Sequence, residues 1–309
     1  MKKILFALCV VACSVGCIDD DYDLTRIDSS DITIGTEESR FVIPLATIYV
    51  GMAELQNNGA DIQAIFDEVE IWTPTTLPGN ATYVDMVKLT DGSEYLDLLL
   101  SSLIDEMLQP ESKKLDEIVD LIWDTPAYRD YFSSELPTAG EETFKTTFKL
   151  SFGKDDQVGE ALREGTRTLA REYLFSIQLE PVYYQAALNL SGDVISMLTD
   201  NLDDESVADP KNALYLYGEV MCDLAVSFQI SVLFESAGVT VPAFDIERNV
   251  ETDIPKTRFF AEEAVRMIDD FRVRVDYLPL RYYPGIGFQP GQNIRMALRL
   301  EKTGSLTFK

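Results

Sequence analysis

Residues 220–234 read Val220-Met221-Cys222-Asp223-Leu224-Ala225-Val226-Ser227-Phe228-Gln229-Ile230-Ser231-Val232-Leu233-Phe234. Every even-numbered position is apolar, while the odd-numbered ones include Asp223, Ser227, Gln229 and Ser231. An apolar residue at every second place is the pattern of a strand with one face in a core. At about 3.3 Å per residue the run would extend roughly 50 Å. That is long for a globular strand, so a bend or bulge is expected within it. Cys222 falls on the apolar parity and reads as a buried, inert thiol.

The same period recurs on both sides. Phe271, Val273, Val275 and Tyr277 alternate with Arg272, Arg274 and Asp276. Ile294, Met296, Leu298 and Leu300 alternate with Arg295, Ala297, Arg299 and Glu301, and residues 306–308 can close the sheet after a turn. Upstream, strands are expected at 41–45, 48–50, 175–179 and 184–190, with strand and turn signals through 71–92. Phe144, Thr146, Phe148, Leu150 and Phe152 also follow a period of two, which predicts a strand over 144–152. Other segments keep helical spacing: Ile62, Ile65, Phe66 and Val69; Leu96, Leu99, Leu100, Leu103, Ile104 and Met107; Leu115, Ile118, Val119 and Ile122. Pro110 ends the second of these, and Thr125-Pro126 starts a short helix through Phe132.

Alternating strands with few helices between them favour antiparallel pairing. The fold class is α+β: mainly antiparallel β-sheet, a helical hairpin over about 93–132, and further helices near 156–173 and 260–270. Residues 133–143, with Pro137 and Gly140, are the candidate boundary if the body divides in two.

The amino terminus carries an address. Lys2 and Lys3 precede an apolar run over residues 4–15, broken only by Cys9, Cys13 and Ser14. Gly16 and Cys17 follow, and then Asp19, Asp20, Asp21 and Asp23. A positive start, a short apolar stretch and a small residue form a secretory signal. The run is shorter than the roughly 20 residues needed to span a bilayer. A cysteine directly after the small residue turns it into a lipoprotein signal, cut before Cys17 and acylated there. Cys13, after Val10, Val11 and Ala12, is the alternative site, and an ordinary cleaved secretory signal is the plainer one. Several acyl chains at about 0.8 kcal/mol per buried methylene give a stable anchor. The chain then divides into a signal peptide (1–16), an acidic tether (17–38) and a body (39–309).

The acidic stretch Asp19-Asp20-Asp21 resembles the surface-export signal of Bacteroidota lipoproteins. Asp21-Tyr22-Asp23-Leu24, followed by the strand Phe41-Val42-Ile43-Pro44-Leu45, is similar to the start of a group of outer-membrane lipoproteins from those bacteria. The resemblance is confined to about the first 45 residues. It implies lipid anchoring at the outer membrane, facing outward, and brings no activity with it. A solvated spacer is the other reading of the same residues.

The chain has 26 basic and 53 acidic residues, a net charge of −27. Loss of the two lysines before Cys17 leaves 24 basic residues and a balance of −29. Such a charge disfavours nucleic acid and repels anionic lipid, so membrane contact is expected through the lipid alone. Residues 248–309 differ, with 11 basic and 8 acidic residues. They form either a docking face or an internal counterweight. There is no histidine, which removes Ser–His–Asp chemistry. Cleavage before Cys17 leaves Cys222 as the body's only cysteine, too few for a disulfide or a cysteine–histidine zinc site. Paired carboxylates can still hydrolyse glycosides. No motif calls for a cofactor.

Three groups are candidates for binding. Asp200, Asn201, Asp203, Asp204, Glu205 and Asp209 offer oxygen ligands for calcium, without the spacing of an EF-hand. Tyr282, Tyr283 and Phe288 lie in a Pro/Gly-rich loop (282–291) that can form a flat aromatic platform or a packed turn. Arg272, Arg274, Arg295 and Arg299 form one basic patch if their strands are neighbours. The function expected is a non-catalytic envelope lipoprotein that binds a protein partner or a glycan, or helps assemble a complex. A carrier of an apolar ligand and a histidine-free carboxylate hydrolase are the alternatives.

Overall fold

The computed structural model describes residues 32–308, apart from 58, 138, 139 and 189. Cys13, Cys17 and Asp19–Asp21 lie outside the described residues. The chain begins with β1 (Ile32–Ile34), β2 (Arg40–Gly51), β3 (Gln56–Asn57), β4 (Ala60–Asp61) and α1 (Ile62–Ile71). It continues with β5 (Val84–Asp85), α2 (Met86–Thr90), α3 (Tyr95–Met107), α4 (Lys113–Asp124), α5 (Pro126–Tyr131), α6 (Glu141–Phe152) and α7 (Gln157–Ser176). Then come β6 (Val182–Ala186), α8 (Gly192–Thr199), β7 (Leu214–Cys222), β8 (Val226–Phe234), β9 (Val239–Ile246) and β10 (Glu251–Phe259). The last elements are α9 (Ala261–Asp269), β11 (Phe271–Tyr282), β12 (Asn293–Thr303) and β13 (Leu306–Phe308). The fold is α+β with mainly antiparallel sheet.

Two sheets face each other. One has the order β10-β7-β12-β2; the other has β5-β11-β8-β9, with β6 also paired to β11. The pairings within both sheets are antiparallel. The 220–234 run is the place where the chain passes from the first sheet to the second. It breaks at 223–225, where Asp223 accepts the Asn293 N–H at 2.6 Å. The parity survives the break because both sheets turn the same residues inward: Val220, Cys222, Leu224, Val226 and Phe228 are all fully buried. Phe234 of β8 meets Phe259 of β10 across the interior, ring centroids 5.6 Å apart.

The two upstream strands merge into β2, which carries a bulge where the register against β12 shifts by one between Ala46 and Pro44. The expected helices over 93–132 are α3, α4 and α5. Those near 156–173 and 260–270 are α7 and α9. Side-chain caps start several of them: Asp61 accepts the Ala64 N–H, Ser112 that of Leu115 and Asp156 that of Gly159.

The strand expected over 144–152 is instead helix α6. Positions 144, 148 and 152 belong to both a period of two and one face of a helix, so the three phenylalanines satisfied either pattern. Phe144, Phe148 and Phe152 are buried against α4, α5 and each other. Leu150, which a strand would have buried, is 67% exposed. Phe175 was expected in a strand and lies in α7, 56% exposed. Residues 71–92 yield a 3₁₀ turn at Pro78–Asn80, the two-residue strand β5 and the short helix α2.

The sandwich has two unlike ends. At the end of β11, α1 packs onto Tyr282, with Phe66 and Tyr282 ring centroids 4.8 Å apart. Helices α2–α7 build outward from there. At the start of β11 lie α8, α9 and the β1–β13 ribbon. β2 runs from the ribbon end at Arg40 to the helical end at Gly51. Its eleven steps of about 3.3 Å separate the two ends by about 36 Å. No helix among the described residues is long and apolar enough to cross a membrane.

Candidate functional site

Where the helical layer meets the sandwich there is an open cleft of about 550 Å³. Asp67 and Glu70 of α1, Thr73 and Thr75 just beyond it, Lys114 and Glu117 of α4, and Pro284 and Gly285 line it. Glu70 is its hub. Its Oε2 accepts the Tyr282 hydroxyl at 2.8 Å and the Gly285 N–H at 3.3 Å. Its backbone carbonyl accepts Lys114 Nζ at 3.0 Å and the Thr73 hydroxyl at 3.3 Å. That carbonyl belongs to the last turn of α1, where helical carbonyls lack intrahelical partners and a cation is favoured. This explains a lysine only 6% exposed. Lys114 Nζ also pairs with Glu117 at 3.1 Å. Thr75 is held by Glu106 of α3, whose carboxylate accepts its N–H at 2.8 Å.

The cleft therefore holds three carboxylates against one ammonium. Burial lifts the Asp67 carboxyl above the ordinary range; a Gln63 hydrogen bond opposes this, and repulsion from Glu70 and Asp61 adds to it. Burial likewise pushes the Tyr282 phenol up, reinforced by its bond to Glu70. Tyr282 thus donates at any physiological pH. Two residues before Glu70, on another face of α1, Glu68 accepts from Trp72 Nε1 at 3.0 Å and from the Tyr128 hydroxyl at 2.8 Å, fixing α1 against α5.

The aromatic loop reaches this cleft with the Tyr282 hydroxyl and the Gly285 N–H rather than with ring faces. Tyr282 and Phe288 are buried, nearly parallel at 6.5 Å, and both pack on Phe66. Tyr283 is half-buried against Tyr83 at 5.9 Å. Tyr282 and Phe288 accordingly offer no flat face to solvent. Gly285, at φ 75°, brings its N–H to Glu70 in a conformation that L side chains rarely adopt.

The four arginines do not form one patch. β11 and β12 belong to different sheets, so Arg272 and Arg274 are separated from Arg295 and Arg299 by the sandwich. Arg272 pairs with Asp270 at 2.5 Å, Arg274 with Asp276 at 2.6 Å and Arg299 with Glu219 at 2.7 Å, and Arg295 is exposed. In the acidic segment, Asp203 accepts the N–H groups of Lys211 and Asn212 at 2.8 and 2.9 Å. Those bonds hold its carboxyl below the ordinary range. The carbonyls of Asp203 and Asp204 accept from Arg258, and Asp200 accepts the Ser196 hydroxyl at 2.9 Å. Asp203 is thus a loop fastener. Asn201, Glu205 and Asp209 complete no cluster with it: among the described residues, no three acidic, cysteine or histidine side chains converge as metal ligands.

A second, apolar groove of about 490 Å³ lies on the helical layer between Leu89, Leu96 and Phe175, rimmed by Asp97 and Arg171. The sequence singled out neither cavity. Lys114 and Glu70 are 44 positions apart, and nothing local announces that they meet.

No protein-family model and no curated protein matches the chain. Among solved structures, a chain from Parabacteroides distasonis ATCC 8503 titled "putative secreted protein" is similar at 15% identity and a TM-score of 0.30. The similarity covers 40% of this chain and 38% of that one.

Proposed function

We propose that the protein is a lipid-anchored outer-membrane lipoprotein of the Bacteroidota type that binds a protein partner or a glycan without catalysis. The observation that carries the reading is the leader, residues 1–17, with its short apolar run, Gly16-Cys17 and the acids that follow. The fold suits it. The described residues begin at the ribbon end, and the cleft opens at the other end of β2, about 36 Å away. The cleft suits binding because its polar groups are already tied: Glu70 to Tyr282 and Gly285, Lys114 to Glu70 and Glu117.

Cys17→Ser should abolish incorporation of labelled palmitate and release the body from the membrane fraction. Protease added to intact cells should cut the wild-type body if it faces outward. Asp67→Asn with Glu117→Gln should remove partner capture or glycan-array signal while the protein still melts cooperatively, the Tm falling by a few degrees as Lys114 loses its carboxylate partner. Retained acylation in Cys17→Ser would sink the anchor, and undiminished binding in the double variant would sink the cleft.

Carboxylate hydrolysis has one observation in its favour: Asp67, held protonated more readily than usual, shares the cleft with Glu70. It predicts loss of glycosidase activity in Asp67→Asn.

A further inference from the structure

The cleft around Glu70 holds more negative charge than its own lysine answers. Helices α1 and α4 each turn two residues three apart toward it, Asp67 and Glu70 from one, Lys114 and Glu117 from the other. Lys114 spends its ammonium on the Glu70 carbonyl and the Glu117 carboxylate. The carboxylates of Asp67 and Glu70 are met by neutral donors: Gln63 for the first, Tyr282 and the Gly285 N–H for the second. The C-terminal turn of α1 opens here as well, and its carbonyls favour a cation. The protein already uses that preference, since the ammonium it seats there belongs to a lysine only 6% exposed. Nearby donors are engaged. Thr73 gives its hydroxyl to the Glu70 carbonyl, and Thr75 gives its hydroxyl and N–H to Glu106. Pro74 and Pro284 bring no N–H. Asp67 and Glu117 stand exposed at the mouth, while Ile71, Pro74 and Pro284 supply apolar wall.

We infer that the cleft receives a basic side chain of a protein partner, an arginine or lysine, whose methylene stem lies on the apolar wall and whose cationic head meets Asp67 and Glu70. The inference rests on the cleft being the binding site proposed above, and it narrows the ligand. A long basic side chain covers apolar surface with its stem while its head keeps to charged oxygens. A neutral glycan would leave the two carboxylates without a counter-charge, and an anionic one would be repelled by them. At about 550 Å³ the open cleft admits the flanking peptide as well as the side chain.

The test offers the detergent-solubilised protein an array of short glycine–serine peptides whose central residue is arginine, lysine, citrulline or glutamate. Citrulline keeps the shape of arginine and removes its charge. Arginine and lysine peptides should retain about tenfold more protein than citrulline peptides. A net charge of −27 attracts any basic peptide, so two variants that remove equal charge are compared. Asp67→Asn with Glu117→Gln should cut the arginine signal about tenfold. Glu251→Gln with Asp253→Asn, at exposed positions of β10 outside the cleft, should leave it within about twofold. Asp67→Asn alone keeps the Lys114–Glu117 pair and should still cost about threefold, so the answer does not hang on how well the double variant folds. No retention of basic peptides, equal retention of citrulline and arginine, or equal losses in the two double variants would each overturn the inference. If Asp67→Asn with Glu117→Gln nevertheless abolishes partner capture or a glycan-array signal, the cleft remains the binding site and only its ligand class falls. If neither capture nor peptide retention depends on the cleft, both fall.

Discussion

Lys302 supplies the most quantitative test of the packing. It lies on the inward parity of β12, opposite Phe41 on β2 and Leu214 on β7, and is 0% exposed. Its ammonium can donate three hydrogen bonds, and among the described residues the bond it makes is to the Thr303 carbonyl at 3.0 Å. Burial drives its pKa below the usual lysine value, opposed by the more distant Asp203. An ammonium so placed costs more in lost hydration than one carbonyl returns. Methionine keeps the length of the stem and removes the charge. Replacing a buried charge by an apolar side chain of similar volume commonly gains about 1–4 kcal/mol. With one hydrogen bond lost, Lys302→Met should gain about 1–3 kcal/mol. At roughly 2–4 °C per kcal/mol, the Tm should rise by several degrees. The pH dependence gives a second signature. The folded pKa is lowered, so between it and the unfolded value the unfolded chain binds more protons, and wild-type stability rises with pH. The penalty is full below the folded pKa and relieved as pH climbs toward the ordinary lysine value. The methionine variant lacks this rise, so the difference between the two proteins should shrink as the pH is raised. Chemical denaturation of both from pH 7 upward reads it. A variant less stable than wild type, or a gap constant with pH, would refute the reasoning.

Phe148→Ala should cost about 3–5 kcal/mol, while Leu150→Lys should stay within about 0.5 kcal/mol; denaturation curves in the reverse order would restore the strand. A Cβ on Gly218 would lie 2.0 Å from the Ala297 carbonyl oxygen, whereas one on Gly153 meets nothing within 4 Å. Gly218→Ala should therefore lose roughly 3 kcal/mol and Gly153→Ala about 0.5 or less, as thermal melts will read. Burial pushes the Cys222 thiol up to about 12. It should ignore Ellman's reagent at pH 8 in the native state and react fully in guanidinium; native reactivity would contradict its place in the core.

Much of the core was legible because a period survives wherever one face is buried. Strands β11 and β12 kept theirs, and α3 and α4 showed broad apolar stripes. The 220–234 alternation was legible and its meaning only partly so: parity reports which side is inward, and both sheets share an inside. Phe144, Phe148 and Phe152 mark the limit of periodicity, since spacing by four satisfies helix and strand alike. β9 and β10 were missed because their faces alternate poorly; Asp245, Glu251 and Asp253 interrupt them. The arginine patch failed for another reason. Local pattern gives each strand's faces but not its neighbours, and β11 and β12, though consecutive, belong to different sheets. The loop at 282–291 was singled out by composition, yet its rings pack inward because Phe66, more than 200 positions earlier, supplies their contact surface.

Mass spectrometry of the N-terminal peptide from protein made in its native envelope tests the central proposal most directly. The account predicts that the mature chain starts at Cys17, carrying acyl chains on its sulfur. A free thiol there, or a chain still bearing residues 1–16, would contradict it.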